Sequence, residues 1–127
     1  MRLYCFDAEQ GHLITQFGSE RVAITGIARI AEGGVQIGCM HLEPGGRVGA
    51  HQATTPQLFL VVRGEGWVRG PELERTPITA DQAAFWEPGE EHESGSESGM
   101  VALVIECDTL DPDQFLTLLP TEERGRG

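Results

Sequence analysis

Gly45-Gly46-Arg47-Val48-Gly49-Ala50-His51-Gln52-Ala53-Thr54-Thr55-Pro56-Gln57-Leu58-Phe59-Leu60-Val61-Val62-Arg63-Gly64 carries the strongest architectural signal in the chain. Glycines open and close it, a histidine stands near its middle, and Leu58 to Val62 is an unbroken apolar run. Side chains two apart on a strand share a face, so His51 lies with Ala53, and Gln57 with Phe59 and Val61. A histidine and an amide are thereby offered to one pocket, with Phe59 as the candidate wall beside them.

A second stretch, Ala83-Ala84-Phe85-Trp86-Glu87-Pro88-Gly89-Glu90-Glu91-His92, follows some way downstream. Here a proline and glycine turn leads into a strand on which His92 shares its face with Ser94 and Ser96. Glu91, Glu93 and Glu97 fall on the opposite face, where acids are expected to serve solvation.

Together the two stretches resemble the paired motifs of the cupin superfamily. In the first motif a glycine leads to two histidines, a glutamate and a closing glycine, and Gly45, His51 and Gly64 fall on the expected positions. Ala53 stands where that family has its second histidine and Gln57 where it has glutamate, so two of three metal ligands are replaced. In the second motif Gly89 and His92 match, the proline comes one place late at Pro88, and Ser96 replaces the usual asparagine. The resemblance implies an all-β double-stranded β-helix, a jelly-roll barrel, with His51, Gln57 and His92 gathered in its pocket.

That set leaves two readings open. Two neutral imidazoles and an amide oxygen can bind one divalent transition metal such as zinc, nickel, iron, manganese or copper, weakly, because no negative ligand remains. Alternatively the pocket is metal-free, and His51 and His92 are half-buried and bonded to backbone or to Ser94 and Ser96. The function classes follow from this. A module that binds a small molecule through His51, His92, Gln57 and Phe59 is the first, and a metal-dependent enzyme of the dioxygenase or isomerase type is the second. A ligand-free scaffold is the third. No catalytic residue is assigned, because fold does not fix function.

Outside the two motifs the chain is consistent with that layout. Its 127 residues are the usual size of one domain, expected to span 1–120 with a polar tail at 121–127. Glycines and prolines punctuate short β-type runs, which predicts strands at Leu3 to Phe6, His12 to Phe17, Arg21 to Ile30, Gln36 to Glu43, Leu58 to Val62, Trp67 to Arg69, Glu74 to Ile78, Ala83 to Trp86 and Val101 to Glu106. Chain reversals are expected at Glu32-Gly33-Gly34, Pro44-Gly45-Gly46 and Gly64-Glu65-Gly66. The capping acid and proline of Asp111-Pro112 predict a short helix over one end of the barrel.

Twenty acids against nine bases give a net charge of −11, which repels phosphate backbones and anionic lipid heads. Nucleic acid and membrane are therefore not expected partners. All nine bases are arginine, while lysine and asparagine are absent, which reads as a coding bias. No basic helix-turn-helix segment is present, so a complete cupin-type transcription factor is not expected. Cys5, Cys39 and Cys107 form no CxxC pair and read as reduced, buried thiols in a cytoplasmic protein. Cys39 and His41 share a strand face, where a soft metal is a weaker alternative to plain packing. Neither a nucleophile with its base nor a phosphate-binding glycine loop occurs. Trp67 and Phe85 read as core, and the resemblance to small cupins, which form homodimers through sheet packing or strand exchange, implies a homodimer that would protect open edges such as Leu3 to Phe6.

Overall fold

The runs of β-branched and aromatic residues form eight strands in a computed structural model that describes residues 1–120; the expected tail at 121–127 lies outside the described residues. They are β1 (His12–Leu13), β2 (Glu20–Ile30), β3 (Val35–Gln52), β4 (Gln57–Arg69), β5 (Thr76–Thr79), β6 (Ala83–Trp86), β7 (Glu91–Ser96) and β8 (Met100–Glu106). All pairings are antiparallel.

The frame is made by the two long strands. The first half of β3 lies between β2 and β8, with Met40 opposite both Ile24 and Ala102, and its second half runs along β7, with Val48 opposite Ser94. β4 begins against β8 and β6 and ends against β7 and β5. Because β3 and β4 each pair with both β7 and β8, the ladder closes on itself, and the backbone groups of these strands leave no open edge between them. The result is an all-β jelly-roll barrel.

Two of the expected reversals are something else. Pro44-Gly45-Gly46 and Gly64-Glu65-Gly66 are bends within unbroken strands, at the points where β3 leaves β8 for β7 and β4 leaves β8 for β7. The chain turns a barrel corner there, and Gly45 at φ 82° and Gly64 at φ 83° supply the left-handed backbone that the corner requires. A Cβ on Gly64 would also overlap the carbonyl oxygen of Gly99. Glu32-Gly33-Gly34 does reverse the chain, between β2 and β3.

The termini differ from expectation as well. Leu3 to Phe6 is not a strand; its apolar side chains are exposed, and it is tied down where His41 Nε2 meets the Phe6 carbonyl at 3.0 Å and the Thr25 hydroxyl donates to the Asp7 carbonyl. The predicted strand to Phe17 stops at Leu13 and gives way to a 3₁₀ turn at Gln16–Gly18. Near the other end Asp111 caps as expected, accepting from the Asp113 amide, but only one 3₁₀ turn, Pro112–Gln114, follows. That turn buries nothing and so does not cover the barrel.

Inward-facing Val22, Met40, Leu42, Val61, Met100 and Ala102 fill the barrel, and Phe59, 2% exposed, is its largest fully buried side chain. Truncating such a phenylalanine to alanine costs about 3–5 kcal/mol. Trp67 is half-buried, lies against Gly95 and carries the Arg75 guanidinium 3.7 Å from its ring centroid. Phe85 is also only half-buried. Of the three thiols only Cys39 is buried, and burial raises its pKa; Cys5 is exposed and Cys107 half-buried.

The acids of β7 do more than face water. Buried Arg69 donates through Nε to Glu93 at 3.0 Å, through Nη2 to Glu91 at 2.7 Å, and through Nη1 to the carbonyls of Gly70 and Glu72. The two carboxylates hold the guanidinium still more firmly protonated. This network pins β7, and with it the histidine that the strand carries, against β4. No helix among the described residues is long and apolar enough to cross a membrane.

Candidate functional site

The register of β3 and β7 sets His51 directly opposite His92. Their ring centroids lie 4.1 Å apart at an interplanar angle of 60°. Two backbone bonds beyond the strand ends fasten the motif loops to each other: the Ala53 amide donates to the Glu90 carbonyl at 3.0 Å, and the Gly89 amide to the Ala53 carbonyl at 2.7 Å. Gly89, at φ 87°, makes the turn that permits this. Residues 51 and 92, remote in sequence, are thus held together by backbone geometry.

Each imidazole has an outer aromatic neighbour. Phe17 stacks on His51 at 4.4 Å and 6°, and Trp86 stacks on His92 at 4.7 Å, with Phe59 edge-on behind Trp86 at 6.0 Å. A continuous row of rings results. Phe17 reaches its place through a left-handed backbone, φ 58°, in a segment that fits closely over Gly49. A Cβ on Gly49 would overlap the Phe17 carbonyl oxygen, while Ser19 accepts from the Gly49 amide at 3.0 Å and Arg47 donates to the Gly18 carbonyl.

The protonation states follow from these contacts. His51 Nδ1 lies 2.8 Å from the Gly49 carbonyl oxygen. A carbonyl only accepts, so Nδ1 carries the proton and Nε2 keeps a free lone pair in the neutral ring. His92 is 5% exposed and its Nδ1 is buried without a hydrogen-bond partner. Burial first, and the neighbouring His51 second, lower its pKa from 6.5 to about 4, against a smaller opposing effect of the Glu90 backbone. At neutral pH His92 is therefore an uncharged base.

Gln57 comes from the start of β4, whose register sets it opposite Glu106 of β8. Gln57 Nε2 donates to Glu106 Oε1 at 2.9 Å, which leaves the amide oxygen free. His51, Gln57, His92 and Glu106 line a small pocket of about 80 Å³, together with the Ala53 loop. Ser94 and Ser96 are buried but do not bind the histidines; Ser96 donates to the Glu65 carbonyl and accepts from the Gly99 amide. Phe59, expected as a pocket wall, sits in the core behind Trp86, and neither Phe59 nor Trp86 lines the pocket. Nothing local in the sequence marks Glu106 or Phe17, since only strand pairing and a backbone twist bring them to the histidines.

As a metal centre the set is thin. Among the described residues no group of three or more His, Cys, Asp or Glu side chains is arranged to hold an ion. What the pocket does offer is two facing imidazoles, that of His92 uncharged and with an unpartnered buried nitrogen, and one free amide oxygen.

A closed antiparallel barrel with an in-register histidine pair between its two motif loops has the cupin fold. A predicted oxalate decarboxylase from Thermotoga maritima superposes with a TM-score of 0.69 at 18% identity, over 82% of this chain and 98% of that one. The polyketide cyclase RemF from Streptomyces resistomycificus gives 0.68 at 14% identity, over 84% and 80%. A cupin-2 domain protein from Rhodospirillum rubrum gives 0.67 at 11% identity, over 90% and 75%. No protein-family model and no curated protein sequence matches the chain.

Proposed function

We propose that this barrel binds a small polar ligand in the pocket at His51, Gln57 and His92, and that these three residues hold a divalent transition ion there weakly. The observation that carries the reading is the pair of facing imidazoles, one held at its Nδ1 by a backbone carbonyl and the other uncharged at neutral pH with a buried nitrogen left without a partner. Neutral imidazole is the ligating form, and a carbonyl on the far nitrogen is the usual outer support of a ligating histidine.

The size of the pocket limits the occupant. About 80 Å³ is well below the several hundred Å³ typical of drug-sized ligands, so an ion with its waters, or a molecule of a few atoms, is what fits. When bound, the ion would polarise a ligand oxygen as a Lewis acid. His51, Gln57 and His92 would position it, and Trp86 and Phe17 would keep the rings from turning. With no anionic ligand among the three, affinity is low and chelators remove the ion.

Metal analysis of untagged protein after equilibration with zinc or nickel tests this, beside the His51→Ala/His92→Ala variant. The expected result is one ion per chain, lost to EDTA, in the parent protein and none in the variant. Equal metal content in the two proteins would end the proposal.

A further inference from the structure

A much larger hollow adjoins the histidine pocket. It is a cleft of about 470 Å³ between β2, β3 and β8, walled by Ile24, Ile37 and Val104 and floored by Gly38. Its volume lies within the range of small-molecule sites. Glu106 lines both this cleft and the histidine pocket, and so stands at their junction.

The state of that carboxylate decides what the cleft can take. Glu106 is half-buried, its hydrogen-bond partner is the neutral amide of Gln57, and among the described residues no arginine or histidine forms an ion pair with it. Arg29 and His12 also line the cleft; both are exposed, and among the described residues neither forms an ion pair with Glu106. A half-buried carboxylate beside Ile24, Ile37 and Val104, with its second oxygen unengaged, is stabilised most by a cationic donor, through a short charge-assisted bond. An anion would meet like charge there, and the net charge of −11 adds to the repulsion.

We propose that the cleft binds an organic cation, a small amine with an apolar body, whose ammonium group rests on Glu106 while its hydrocarbon part lies along Ile24, Ile37 and Val104. The inference touches the ligand reading of the neighbouring pocket only through Glu106, and it stands without any metal at His51 and His92.

Three probes of one shape test it by calorimetry: cyclohexylmethylammonium, cyclohexylmethanol and cyclohexanecarboxylate. The ammonium is expected to bind the parent protein and to lose about tenfold in affinity in Glu106→Gln, which keeps the shape and a partner for Gln57. Binding to the parent protein in EDTA is expected to be unchanged, which separates this outcome from failure of the metal proposal. Glu97→Gln, at an exposed acid away from the cleft, should also bind as the parent does. Methyl resonances of Ile24, Ile37 and Val104 should shift on saturation. Equal binding of the alcohol or the carboxylate, unchanged affinity in Glu106→Gln, an equal loss in Glu97→Gln, or shifts confined to other methyls would each overturn the assignment.

Discussion

Mild acid is expected to weaken this barrel through one residue, His92. In the unfolded chain its imidazole takes up a proton near pH 6.5, whereas in the barrel the proton is refused until about pH 4. Between those values the unfolded state binds more protons than the native state, so stability rises with pH and falls as pH drops through this window. Above about 6.5 and below about 4 the contribution of His92 is flat. Two pH units of that window, at about 1.4 kcal/mol each, give about 2.7 kcal/mol by pH 4.5. Solvent screening at the pocket mouth reduces this to about 2 kcal/mol. Urea unfolding followed by circular dichroism, in EDTA, at pH 7.5 and 4.5, measures it against His92→Phe, which keeps a ring on Trp86 and has nothing to titrate. The many carboxylates titrate alike in both proteins and cancel. The stability difference between the two should move by about 2 kcal/mol in favour of the variant on going to pH 4.5. A difference that stays constant within about 0.5 kcal/mol would refute the reasoning.

Further expectations follow from the same contacts. Gly49→Ala places a methyl on the Phe17 carbonyl oxygen and should cost about 2 kcal/mol, in the range of overpacked sites, with the ring-current shift of His51 lost in NMR spectra; a variant with parental stability and shifts would contradict the clamp. Arg69→Met leaves Glu93, half-buried, with only the longer contact to Arg47 at 3.9 Å and should destabilise by about 2 kcal/mol in urea unfolding, whereas a loss below about 0.5 kcal/mol would make the network a surface feature. We also propose that the exposed apolar side chains of Leu3, Tyr4 and Phe6 are covered by a second copy. Light scattering should then report twice the 13.8 kDa of one chain, and a monomer at high concentration would contradict it.

The alternation around His51, Gln57 and His92 was legible because a strand imposes it locally, and faces assigned two residues apart are kept in the barrel. What local reading misses is pairing. Glycines at 45 and 64 look like reversals between short strands, yet each lies inside a longer strand that changes partners at a barrel corner, which no neighbouring residue reveals. Leu3 to Phe6 has the composition of a strand but finds no free ladder to join. Glu106 reaches Gln57 through a register set 49 positions away. Glu93 looks like a solvated acid until Arg69, 24 positions earlier, is brought against it by the β4–β7 pairing. Phe17 enters the site through a left-handed backbone that nothing in its neighbourhood demands, since the tight fit over Gly49 is what holds it there.

A crystal structure of the untagged protein grown with zinc tests the convergence of the two imidazoles most directly. Density bridging His51, Gln57 and His92 at ligand distances near ~2.1 Å is the predicted result. Rings turned away from each other toward bulk solvent, with no density between them, would contradict it.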